Sequence, residues 1–193
     1  MNNEIKKAVE ILKSGGVIAY PTDTVYGLGA NIFDKKAVLR VSKLKKRDAK
    51  KPVLIAVSGL EMLKQFAQVN TEQEELIKQL LPGPVAMLLA KTDRVPDYIN
   101  EGQSLIGIRW SNDPISAELI NSAGFPITST SVNIEGKSPA KSQSDINLPV
   151  DSIVSGECEY RTSSTMVDMV SKKIVRPGAK YREVKKLLAV TSP

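Results

Sequence analysis

The sequence predicts an α/β fold, a twisted open mixed sheet with flanking helices in a single domain over residues 1–193. Three observations lead there. Short apolar, partly β-branched runs alternate with stretches whose apolar residues recur at helical spacing. The strand-like runs late in the chain follow each other too closely for helical crossovers, which requires some antiparallel pairing. A chain of 193 residues, 41% hydrophobic and 25% charged, has ordinary globular composition and a length that fits one domain.

In chain order, Ile5, Ala8, Val9, Ile11 and Leu12 mark a first helix, with Asn3 as a cap and Gly15 and Gly16 as its stop. Val17 to Tyr20 reads as a buried strand that Pro21 ends. Thr22, Asp23, Thr24 and Tyr26 then place three hydroxyls and a carboxylate just past the strand. Gly27 and Gly29 are expected to adopt conformations that side chains disfavour. Asp34 caps a second helix whose apolar face holds Ala37, Val38, Val41 and Leu44. Val53 to Val57 is a short strand, Ser58 opens a helix through Leu63 and Phe66, and Thr71 with Glu74 has the capping-box spacing before Leu76 and Leu80. Val85 to Ala90 and Leu105 to Trp110 are strands. Asp113 and Pro114 start a helix over 114–123 that Gly124 stops. Pro126 to Ser129 is a strand, 136–150 an irregular surface segment, and Ser152 to Ser155, Thr165 to Val170 and Lys173 to Val175 are short strands before a helix around Glu183 to Val190.

Composition removes several chemistries. The chain has no histidine, so Ser-His-Asp and Cys-His catalysis, histidine zinc sites and the usual neutral-pH base are excluded. Cys158 is the only cysteine and can form no intrachain disulfide, which with the absence of an apolar leader or an 18-residue apolar run points to a soluble, cytoplasmic protein with no membrane partner. Lys and Arg exceed Asp and Glu by 27 to 21, a net charge of +6 that favours anionic partners.

The polar residues concentrate in four places. One is the loop after Tyr20. A second is Lys45-x-Arg47 with Lys51, at a helix end, where alternate positions let Lys45 and Arg47 grip one anion; the same charges also complement the helix dipole. A third is Thr128 to Asn133, four consecutive hydroxyls and then an amide after an apolar strand, donors suited to phosphate or ribose. Ser131 to Ser138 approximates a phosphate-binding loop but has Ser131 for the first glycine and Pro139 where a helix should start. The last is Ser163, Ser164 and Thr165 with Arg176. No clear acidic pair marks a protein-held metal, and Asp23 is no more than a candidate.

Pro21 to Gly29, Lys45-x-Arg47, Ser131-x-Asn133, Ser164 with Thr165, and Arg176 to Gly178 occur in the order seen in the YrdC/Sua5 family, and the chain resembles that family over nearly its whole length. The resemblance implies a stand-alone domain of this type, without the C-terminal extension of some members, folded around a large positive cavity. It implies an enzyme that joins L-threonine, bicarbonate and ATP, the last with Mg2+, into threonylcarbamoyl-adenylate and pyrophosphate. The product serves the N6-threonylcarbamoyl modification of adenosine 37 in tRNA, reached directly or through a transferase complex. By position, Thr24, Arg109, Ser129 and Ser164 match residues that hold threonine, with Arg109 facing its carboxylate. Arg47, Lys51, Ser131, Asn133 and Arg176 match those at the nucleotide, and Lys45 with Arg47 forms the catalytic signature. The chain departs from the family at Asp48, where proline is common, at Lys51, a frequent asparagine, and at Ala56, a histidine in some members.

The chemistry agrees with the charges: three anionic reactants need converging cations, and nucleotidyl transfer needs alignment and charge stabilisation rather than a histidine. The alternative from another class is a non-catalytic module that takes tRNA or double-stranded RNA by its phosphates in a basic cavity. The sequence interleaves no aromatics with its basic residues, as stacking platforms do.

Overall fold

The computed structural model describes residues 3–190; residues 1–2 and 191–193, which the expected domain span includes, lie outside the described residues. The chain runs α1 (Asn3–Lys13), β1 (Ile18–Tyr20), β2 (Gly27–Gly29), α2 (Lys35–Leu44), β3 (Ile55–Ala56), α3 (Leu60–Phe66), α4 (Thr71–Leu80), β4 (Val85–Ala90), β5 (Leu105–Arg109), α5 (Pro114–Ala123), β6 (Ile127–Thr128), β7 (Thr130–Ser131), β8 (Ser152–Ile153), β9 (Thr165–Asp168), β10 (Lys173–Arg176) and α6 (Tyr181–Val190). The fold is mixed α/β as expected, but its strands divide between two sheets instead of forming one. The smaller has the order β7-β2-β1-β8 and the larger β10-β9-β4-β5-β3-β6. Each combines parallel and antiparallel pairs: β1 is antiparallel to β2 and parallel to β8, while β4 is antiparallel to β5 and parallel to β9.

The division follows from side-chain alternation. Ile18 and Tyr20 of β1 point into a core with Ile5, Ala8 and Leu12 of α1 and Leu119 and Ile120 of α5, whereas Val17 and Ala19 point to Ala37 and Val41 of α2. A strand buried on both faces needs helices on both sides. The larger sheet instead packs Met87, Leu89, Ile106 and Ile108 against Leu63 and Phe66 of α3, Leu76 and Ile77 of α4, and Val184 and Leu188 of α6.

One short segment steps directly from the larger sheet into the smaller. β6 ends at Thr128 in the larger sheet, Ser129 turns, and β7 begins at Thr130 in the smaller. The Thr128 hydroxyl, fully buried, donates to the Leu28 carbonyl at 2.7 Å and accepts from the Ala30 amide at 3.0 Å. The Ser129 amide donates to the Leu54 carbonyl at 2.7 Å, so the seam is tied to β2 on one side and to the segment before β3 on the other.

Local signals placed most ends well. Asp34 accepts from the Ala37 amide, Asp113 from the Ser116 amide, and Gly124 ends α5 at φ +78. Two starts differ. The capping box of α4 is Asn70 with Gln73, one residue before the expected Thr71 and Glu74, because Asn70 has the extended backbone and a side-chain oxygen within reach of the Gln73 amide. Helix α3 starts after Gly59 without a side-chain cap, and the Ser58 hydroxyl approaches the Met62 sulfur instead. Gly27 and Gly29 are extended strand residues and not in the left-handed region. Their need is space: a Cβ on Gly27 would lie 2.9 Å from the Tyr20 ring. Among the described residues no helix is long and apolar enough to cross a membrane.

Candidate active site

A cavity of about 520 Å³, lined from both sheets, lies beside this seam. Its size is that of a small-molecule cleft, for which about 300–1,000 Å³ is usual. Nine of the ten side chains singled out in the sequence line it: Thr24, Lys45, Arg47, Arg109, Ser129, Ser131, Asn133, Ser164 and Arg176. Lys51 is the exception. Its half-exposed ammonium lies outside the wall and pairs with Glu135 at 3.0 Å. Of the departures from the family pattern, Asp48 caps an exposed turn by accepting from the Lys50 amide, and Ala56 is buried in the α1/α5 core; neither lines the cavity.

The loop after β1 presents Thr24 through its own hydrogen bonds. The Thr22 hydroxyl donates to the Val25 carbonyl at 2.7 Å, accepts from the Thr24 amide at 3.1 Å and lies 3.0 Å from the Thr24 hydroxyl. A short hydroxyl turn thereby fixes both threonines at the strand end. Asp23 points the other way. Its carboxylate receives Arg109 in an ion pair that is almost fully buried, and its amide donates to the Ser111 hydroxyl at 3.0 Å. Arg109 also donates from Nη1 to the carbonyls of Gly83 and Val85, both at 2.7 Å. One side of this guanidinium is thus fixed by the protein while the residue lines the cavity. Asp23, the expected metal candidate, is spent on an arginine.

Helix α2 ends in a Schellman motif. Lys46 takes φ +50, its amide donates to the Lys43 carbonyl, and the Arg47 amide donates to the Ser42 carbonyl. The turn sends Lys45 and Arg47 to different tasks instead of letting both grip one anion. Lys45 is 4% exposed, and its ammonium donates to the Ser131 carbonyl, the Asn133 carbonyl at 3.0 Å and Asn133 Oδ1 at 2.8 Å. An ammonium has three donors, so all have acceptors. Burial, reinforced by repulsion from Arg47 and opposed by Glu135, lowers the Lys45 pKa to about 8. Arg47 donates from Nη2 to the Pro52 carbonyl at 3.0 Å, while its buried Nε has no hydrogen-bond partner among the described residues.

Asn133 completes the lock. Its Oδ1 also accepts from the Ser131 hydroxyl at 2.6 Å, and its amide group donates to the carbonyls of Ile134 and Lys137. The segment after Ser131 is therefore an irregular turn tied to α2, with no helix of a phosphate-binding loop behind it. Across the cavity, Arg176 Nη2 donates to both the carbonyl and the hydroxyl of Ser164 at 3.0 Å. Gly178 permits this approach, since a Cβ there would lie 2.2 Å from the Ser163 carbonyl oxygen. Partial desolvation and then the charge of Arg109 lower the Arg176 pKa. Tyr20, beneath the cavity, is pushed up to about 12 by burial and remains neutral.

Other wall residues were not singled out in the sequence. Leu54, Leu88, Leu105 and Met166 form an apolar strip. Gly107, opposite Leu88 in the sheet, makes room for it, because a Cβ there would lie 2.9 Å from Leu54 Cγ. A glycine inside a strand pattern is itself a signal of close approach. Asn100 and Glu135 carried no such signal. Among the described residues no group of three or more acidic or cysteine side chains is placed to hold a metal.

Residues 10–178 match the family model for the Sua5/YciO/YrdC domain, described as telomere recombination. The chain is 32% identical to the threonylcarbamoyl-AMP synthase of Cellvibrio japonicus over 184 residues, 92% of this chain and 97% of that protein. Among solved structures it is similar to P. abyssi Sua5 complexed with L-threonine, with a TM-score of 0.89 and 32% identity, over 95% of this chain but 56% of that one. It is also similar to E. coli YciO, with a TM-score of 0.82 and 30% identity over 91% of this chain and 89% of the other.

Proposed function

Because the chain belongs to the Sua5/YciO/YrdC family, we propose that it is a threonylcarbamoyl-AMP synthase acting on L-threonine, bicarbonate and ATP. The observation that carries this reading is that Lys45 and Arg47 after α2, Arg109 of β5 and Arg176 of β10, from three separate segments, line one cavity. Converging cations are what three mutually repelling anionic reactants require. The names of the relatives support a synthase over an RNA-binding module.

In this reading, neutral threonine amine and bicarbonate give a carbamate and water. A carbamate oxygen then attacks the α-phosphorus of ATP; the new O–P bond forms as the bond to the bridging oxygen breaks, and pyrophosphate leaves with that electron pair. Thr24, Ser129, Ser164 and Arg109 hold threonine, with the free edge of the Arg109 guanidinium facing its carboxylate. Arg47, Ser131 and Arg176 receive the nucleotide, and the apolar strip of Leu54, Leu88 and Leu105 suits its base. Lys45 and Asn133 serve by holding the Ser131 segment against α2. The nucleotide would enter as its Mg2+ complex, the ion supplying charge neutralisation that assists departure of pyrophosphate. The product passes to tRNA, directly or through a transferase complex.

The test is mass spectrometry after incubation with L-threonine, bicarbonate and Mg-ATP. A threonylcarbamoyl-adenylate ion that disappears when threonine or bicarbonate is omitted is the expected result. Its absence from folded protein overturns the reading.

A further inference from the structure

A cavity suited to anions contains one acid. Among the described residues Glu135 is the only acidic one on its wall, which also carries Lys45, Arg47, Arg109 and Arg176. Its carboxylate lies 3.0 Å from Lys51 Nζ and 3.7 Å from Arg47 Nε. The second distance is too long for a hydrogen bond, and among the described residues the buried Arg47 Nε has no hydrogen-bond partner. Arginine and lysine here therefore share a carboxylate that satisfies only one of them.

The backbone beneath this carboxylate is anchored on one side and open on the other. The Glu135 amide donates to the Lys45 carbonyl at 2.8 Å, so the residue stays at the end of α2. Gly136 follows at φ +79, with nothing within 4 Å of where its Cβ would stand. The Glu135 side chain is 41% exposed, and apart from Lys51 and the distant Arg47 no ion pair restrains it among the described residues. It is free to swing outward without breaking the backbone tie.

We propose that Glu135 is a displaceable internal anion that sits between Lys51 and Arg47 until a polyphosphate takes its place, making this end of the cavity selective for ligands with several negative charges. The proposal rests on the reading that nucleotide phosphates bind beside Arg47. A singly charged group gains from Lys51 and Arg47 little more than the carboxylate gives up. A diphosphate or triphosphate brings more charge and more acceptor oxygens, including one for Arg47 Nε, and so wins the exchange. On release of pyrophosphate the carboxylate returns to the same cations, which favours departure. Lys51, outside the cavity wall, acquires a role through this carboxylate.

Glu135→Gln keeps the shape and removes the charge. By calorimetry with the full-length protein, Mg-pyrophosphate and Mg-ATP should bind roughly 3- to 10-fold more tightly to the variant, while AMP changes by less than about twofold. In a Lys51→Ala background the gain from Glu135→Gln should shrink. Unchanged or weaker pyrophosphate binding in Glu135→Gln, an equal gain for AMP, or an undiminished gain without Lys51 would each overturn the proposal. The outcome separates from that of the synthase reading. A pyrophosphate gain in a protein that makes no adenylate would leave this inference standing, and adenylate synthesis without the gain would remove it alone.

Discussion

Lys45 Nζ lies 2.8 Å from Asn133 Oδ1, joining the end of α2 to a turn 88 residues later in the sequence. The same ammonium reaches the Ser131 carbonyl, so one buried charge fixes the geometry of a whole cavity wall. A protonated amine in such a place strengthens its hydrogen bonds and costs desolvation at the same time.

That cost has a definite pH signature. Burial first, then Arg47, lowers Lys45 to about 8. A lysine in the unfolded chain titrates near about 10.4. Between these values the unfolded chain holds a proton that the folded chain has released, so this group makes stability rise with pH across the window. Below pH 8 both states are protonated and the full penalty applies. Urea denaturation of wild type and Lys45→Met from pH 7 to 10 should show a wild-type advantage over the variant that grows above pH 8. A constant difference would contradict the depressed pKa.

Asp23 and Arg109 make the opposite case, a buried pair in which each charge needs the other. Their side chains are 1% and 5% exposed. Asp23→Ala leaves a buried guanidinium without its counter-ion and should destabilise by about 3–5 kcal/mol. The double variant Asp23→Ala with Arg109→Met should cost less than the sum of the single changes. Denaturant midpoints at constant m-value check this, and strict additivity would mean that the two residues are not energetically coupled.

Much of the architecture was legible because the deciding forces were local. Val85 to Ala90 is an uninterrupted apolar run and is a strand with those bounds; Asp113, Pro114 and Gly124 punctuate α5 at the expected residues. The split into two sheets was not legible, since it depends on Thr128 bonding to Leu28 and Ala30 across about a hundred residues of sequence. The cavity residues were visible as motifs, but their division of labour was not. The positive φ of Lys46 turns Lys45 inward to Asn133, and no spacing argument anticipates a left-handed lysine. Gly27 was marked as special for the wrong reason: it yields room to the Tyr20 ring and adopts an ordinary strand conformation. Nothing in the sequence marks Glu135; the fold places it beside Arg47 and Lys51.

Glycines with and without neighbours should separate cleanly. A Cβ at Gly178 would lie 2.2 Å from the Ser163 carbonyl oxygen and 2.6 Å from that of Ser164, backbone atoms that cannot turn aside. Gly178→Ala should cost about 2 kcal/mol or more and shift Ser164 away from Arg176. Gly59 is extended with nothing within 4 Å, so Gly59→Ala should stay within about 0.5 kcal/mol of wild type. Denaturation curves for the two variants make the comparison, and equal losses would refute the close approach at Gly178.

Arg176 distinguishes a charge kept for ligand from one kept for the fold. Among the described residues its guanidinium bonds only to Ser164 and has no carboxylate partner, and it feels the charge of Arg109. Such a group adds little to the empty fold and gains most when an anion arrives. Arg176→Met should therefore leave stability within about 1 kcal/mol of wild type while weakening Mg-ATP by about 1.5–3 kcal/mol, the worth of a charge-assisted hydrogen bond. Calorimetric titration with Mg-ATP and denaturation of the same sample test both halves. If Arg176→Met lost several kcal/mol of stability and kept its nucleotide affinity, Arg176 would belong to the scaffold, and the nucleotide end of the cavity would rest on Arg47 and Ser131 alone.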